Sequence, residues 1–130
     1  MKRTAECVAF VLLAAYVCGC GAGEPLRVSD VQVGRSLNSD NSIGSHTTSF
    51  KPGDTMYASV LTDGSGSATI TARWTYAGRV VNETAQKVSY TGHAATEFHI
   101  RPSGDFPTGE YVLEILFNGE PVETRNLRVR

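Results

Sequence analysis

The chain has 130 residues and a formal net charge of −1, with 41% hydrophobic and 19% charged residues. That length allows one domain and a short appendage, and the near-neutral balance supplies no field to draw DNA, RNA or anionic lipid. Thirteen glycines, with Val, Thr, Tyr, Phe and Ile recurring at alternating spacing, favour an all-β domain over a helical one.

The N-terminal stretch reads as an address. Lys2 and Arg3 form a basic start, and residues 8–17 are an apolar run. A spanning helix needs about 20 apolar residues, so the run is a signal-peptide helix rather than a transmembrane segment. All three cysteines, Cys7, Cys18 and Cys20, lie here, and nothing further along can pair with them in disulfides. Cys18-Gly19-Cys20 likewise lacks the partner ligands of a metal site.

Val17-Cys18-Gly19-Cys20 resembles the lipobox of bacterial lipoproteins. The resemblance implies cleavage before Cys20 and acylation of that residue, palmitate-type chains then holding the protein in the membrane. Residues 1–19 are then a lipoprotein signal peptide, 20–25 a tether and 26–130 the folded domain. Gly21, where an Asp would favour inner-membrane retention, implies an outer-membrane location facing the periplasm. An ordinary secretory signal cut near residues 19–23 is the alternative, and it would leave a soluble protein.

Residues 26–33 alternate, with a slip near Ser29-Asp30, and predict an edge strand. The polar stretch 34–49 exceeds the usual connection and is either functional or disordered. Pro52-Gly53 marks a turn into a strand over 55–62, whose Met56, Ala58 and Val60 share one face. Gly64-Ser65-Gly66 lacks the sequel of a phosphate loop and reads as a connection.

Residues 68–76 show the cleanest alternation, with Ile70, Ala72, Trp74 and Tyr76 inward. Ala77-Gly78 turns into a short piece at 79–81, and 86–90 is a weak strand before the Thr91-Gly92 turn. Residues 95–101 place Thr96, Phe98 and Ile100 inward, and the Pro107/Gly109 turn feeds a long strand with Tyr111, Leu113, Ile115 and Phe117 on one face. Asn118-Gly119 predicts a hairpin to 121–129, closed by Leu127 and Val129. A phase slip between Val122 and Leu127 predicts a bulge in the last strand.

About seven short strands separated by turns give the pattern of an antiparallel β-sandwich. Phe50-x-Pro-Gly-Asp-Thr-x-Tyr57, Arg73-Trp74, Phe98, Pro107-x-Gly-x-Tyr111 and Asn118-Gly119 resemble small immunoglobulin-like domains of bacterial envelope lipoproteins. Tyr111 stands where those sandwiches carry a tyrosine corner, and Trp74 where they carry a core tryptophan. These motifs specify turns and core and carry no activity.

No catalytic constellation emerges, so the chain reads as a non-enzyme without a cofactor. Serines lack an elbow context, and Glu110 and Glu114 project from an outward strand face that gives no reason for desolvation. With Val112 and Leu116 they form the candidate binding surface for an envelope protein partner, extended by Tyr57, Leu61 and Val80-Val81. The 34–49 loop either joins this surface or covers it. The competing reading is a periplasmic small-ligand or metal-binding protein using His93 and His99.

Overall fold

The computed structural model describes residues 23–130; the expected signal peptide and Cys20 lie outside the described residues. Eight strands follow in order: β1 (Arg27–Gly34), β2 (Ser49–Phe50), β3 (Met56–Asp63), β4 (Ser65–Tyr76), β5 (Arg79–Thr91), β6 (Ala94–Ile100), β7 (Gly109–Phe117) and β8 (Glu120–Val129). They form a three-stranded sheet, β1-β3-β6, facing a five-stranded sheet, β2-β8-β7-β4-β5. Pairing is antiparallel except where the two-residue β2 runs parallel to β8. The sequence pattern gave no sign of β2, because two residues cannot display a period.

The alternating residues build the core. Ile70, Ala72 and Trp74 of β4, and Leu113 and Ile115 of β7, lie against Met56, Ala58 and Val60 of β3 across the sandwich. Each large apolar side chain buried this way contributes about 1.5–3 kcal/mol. Val31, Val33, Phe50 and Phe106 also belong to the cluster, while Tyr76 and Phe117, both expected inward, are only partly buried against it.

A hairpin turn and bulges in β1 and β8 fix the registers. Asn118 and Gly119 both have positive φ, 51° and 86°, the backbone that a tight two-residue hairpin requires. Asn118 also donates its backbone N–H to the Thr69 carbonyl at 2.8 Å and accepts from Thr69 N–H at 2.9 Å, tying the hairpin to β4. The β1 slip falls between Val28 and Asp30. On β8 Val122 is the extra residue, since Ile115 pairs with Glu123 and the next residue, Leu116, with Pro121.

The 34–49 stretch is an ordered arm. Arg35 N–H donates to Ser45 O at 2.9 Å and Asn38 N–H to Ser42 O at 2.8 Å, so the chain leaves β1 as a small hairpin. Ile43 anchors it, 4% exposed, and Ser59 of β3 donates to the Asn41 carbonyl at 2.7 Å. Gly34 is obligatory at the base, because a Cβ there would collide with the Ser45 carbonyl and the Ile43 side chain. The expected tether also ends earlier than position 25. Ser65 N–H donates to Glu24 O at 2.9 Å, and Leu26 N–H donates to Ser65 O at 3.0 Å.

Candidate functional site

The lateral edges of the sandwich are built differently. At one, Arg125 of β8 spans the gap between the sheets. Its Nε donates to the Val31 carbonyl at 3.0 Å and one Nη to Asp30 at 3.1 Å, both on β1. The other Nη donates to Glu123 at 2.8 Å and to the Thr124 carbonyl at 2.9 Å. A planar guanidinium with its donors engaged in this way fixes both sheets at once.

At the other edge β5 and β6 face each other without sharing a ladder, since β5 pairs with β4 and β6 with β3. Two neutral side chains bridge them. Gln86 donates to the Glu97 carbonyl at 2.7 Å, and the hydroxyls of Tyr90 and Thr96 lie 2.8 Å apart. Beyond Gln86 the sheets part, and a pocket of about 390 Å³ opens at the end of the sandwich where β4, β6 and the β6–β7 loop meet.

Its wall is aromatic and held in place. Tyr111 donates to the Pro107 carbonyl at 2.8 Å, the contact of a tyrosine corner. Tyr76 donates to the next carbonyl, Thr108, at 2.9 Å, and the two tyrosine rings lie 4.6 Å apart. Phe106 meets Tyr111 edge-on at 5.8 Å. Burial pushes the Tyr111 hydroxyl pKa above its ordinary value, so the ring stays neutral at physiological pH. Val81, 49% exposed in a β5 bulge, forms the outer lip with Asn82, His99 and Arg101. An apolar well with a polar rim can hold an apolar side chain or a small ring.

The residues named from the sequence are distributed otherwise. Glu110, Val112, Glu114 and Leu116 share β7, but the apolar patch expected around them does not form. Leu116 is buried, 6% exposed, between its cross-strand neighbours Thr71 and Pro121, and Val112 is half-buried. Glu114 accepts from Arg73 at 2.8 Å, and Glu110 is paired with Arg128. Hydrogen bonds from Arg73 to Glu83 and Glu114 raise its pKa, so this face carries an ionic ladder. Tyr57 and Leu61 sit on β3, in the other sheet, so the extended patch is split between opposite sides of the molecule.

His93 and His99 do not converge. One precedes β6 and the other lies near its far end, roughly 20 Å apart at the rise of an extended strand. His93 is instead 2.8 Å from Asp63, whose pKa that hydrogen bond lowers, and His99 is 2.5 Å from Glu97. Among the described residues no group of three or more His, Cys, Asp or Glu side chains could hold a metal ion. Also among them, no helix is long and apolar enough to cross a membrane.

No protein-family model matches the chain, and no curated protein matches it. Solved structures do. An immunoglobulin-like protein from Pseudomonas aeruginosa is 13% identical, with 82% of this chain and 98% of that one covered at a TM-score of 0.56. A β-glucosidase from Listeria innocua in complex with glucose matches 82% of this chain at 13% identity and a TM-score of 0.53, but only 16% of its own length is covered. An alkylpurine DNA glycosylase from Pseudomonas fluorescens is 16% identical, with 86% of this chain and 32% of its own covered at a TM-score of 0.52. Such distant likenesses establish the fold alone: an all-β, immunoglobulin-like sandwich.

Proposed function

We propose that this chain is a non-catalytic binding protein of the bacterial cell envelope, anchored by lipid on Cys20 and engaging a protein partner at its open β5/β6 edge. The observation that carries the reading is the pocket with its tyrosine-fixed wall. It joins a rigid aromatic well to a polar rim, the arrangement that anchors a partner's apolar side chain. The carboxylates elsewhere on the sandwich support the non-enzymatic part, because Glu110 is paired with Arg128 while Glu114 and Glu83 share Arg73. The lipobox-like Cys20, with Gly21 after it, supports the anchor and its outer-membrane address.

Two measurements test this. Intact mass of the chain purified from membranes, beside Cys20→Ser, is expected to show cleavage before Cys20 plus acyl chains, both lost in the variant. Affinity capture from envelopes with wild type and Val81→Asp is expected to recover a partner that the variant holds at least tenfold less well. Equal recovery by both contradicts the assigned site.

A second reading, small-ligand binding in the same pocket, is favoured by its volume of about 390 Å³. Of the two histidines only His99 would take part.

A further inference from the structure

β5 has the properties of an edge that pairs. It runs for 13 residues at the end of the five-stranded sheet, most of them exposed. Alternate residues of such a strand leave backbone N–H and C=O groups without a ladder partner. Natural edges are blunted by proline, by inward-pointing lysine or by shortness. β5 has no proline, and its Lys87 lies opposite Thr69 on the solvent face of the sheet. Its one irregularity, the bulge at Val81, leaves residues 82–91 regular.

We propose that this edge binds a second copy of the chain, β5 against β5 antiparallel about a two-fold axis at Ala85. The charges select that register. With Ala85 opposite itself, Glu83 of each copy faces Lys87 of the other, giving two equivalent ion pairs on the solvent face. Thr84 then faces Gln86, Asn82 faces Val88, and the smallest side chain of the segment lies on the axis. Centring the pair on Glu83 instead sets the two Glu83 carboxylates against each other. Centring it on Lys87 opposes two lysines, and a centre at Thr84 or Gln86 leaves both charges facing neutral residues.

Glu83 keeps its place in this arrangement. It already accepts from Arg73 Nε at 2.9 Å, and a facing Lys87 puts the carboxylate between two cations. The product is a continuous ten-stranded sheet with the two aromatic pockets near opposite ends of the shared ladder. The inference does not rest on the anchor or on the pocket's partner, since both copies are complete without them.

The test uses the full chain. Native mass spectrometry is expected to show a dimer for wild type, and on the order of tenfold weaker association for Lys87→Glu or Glu83→Lys alone, because each places like charges opposite one another. Co-expression of the two variants is expected to restore pairing as a mixed dimer, in which both facing pairs are again opposite in sign. Zero-length carbodiimide coupling of wild type supplies a readout independent of any variant's folding. Within one copy Glu83 and Lys87 are roughly 13 Å apart along the strand, so a Glu83–Lys87 link must join two chains. A monomeric wild type, a dimer indifferent to the single charge reversals, or no Glu83–Lys87 link overturns the proposal.

Discussion

The two lateral edges of this sandwich show how one architecture can hold structure on one side and availability on the other. At the β1/β8 edge a single cation reaches across the gap and bonds two residues of the opposite sheet, while β2 caps the outer strand. At the β5/β6 edge two neutral contacts cover half the length, and the other half is an aromatic pocket beside a 13-residue strand paired on its inner side alone. The difference lies in what each edge leaves unsatisfied. The first leaves little for a partner to add. The second leaves backbone groups, exposed valines and an apolar well.

That contrast can be broken from the closed side. Arg125→Ala leaves the Val31 carbonyl and Asp30 without their guanidinium, and it is expected to lower stability by about 1–2 kcal/mol in chemical denaturation. Tyr111→Phe removes one hydrogen bond and is expected to lower it by about 1 kcal/mol at neutral pH. Its pH dependence sharpens the point. The folded Tyr111 pKa is raised above the ordinary 10.0, so the folded state resists ionisation. The part of the stability linked to Tyr111 protonation is therefore fully present below pH 10 and is lost as pH rises through the folded value. Denaturation curves of wild type and Tyr111→Phe are expected to converge above pH 10.

The open side responds less. Gln86→Ala removes a neutral bridge, with an expected loss somewhat below 1 kcal/mol in the same denaturation. Val81→Ser, at a half-exposed bulge, is expected to change stability by less than about 0.5 kcal/mol. A larger loss at Val81 than at Arg125 would reverse the assignment of the edges.

Much of the fold was legible because the core strands obey a period of two. β3, β4, β6 and β7 each bury one face against the opposite sheet, so Met56, Trp74, Phe98 and Leu113 could be placed inward from spacing alone. The Asn118-Gly119 hairpin was legible for the same local reason, as was a bulge in β8, which falls at Val122, at the start of the expected span 122–127.

The open edge was not. β5 read as two fragments because Asn82, Glu83, Thr84 and Ala85 form no apolar alternation, and a strand bordering a gap has no buried face to demand one. Leu116 misled in the opposite direction, since its burial comes from Thr71 and Pro121 on neighbouring strands. The arm's ordering depends on Ser59 meeting Asn41, and the pocket on Tyr76 meeting Thr108. Contacts so far apart in sequence leave no local signature. What could have pointed to the pocket is Tyr76 itself, an aromatic beside a Gly turn as Tyr111 is.

The most direct measurement is site-specific photocrosslinking of the full chain in intact envelopes, with the reactive side chain at position 81 in one variant and at position 126 in another. Asn126 lies on β8, the strand of the closed edge. Discrete protein adducts from position 81 and none from position 126 are the predicted result. No adduct from position 81, or the same adducts from both, would contradict the division of the sandwich into a structural edge and a binding edge.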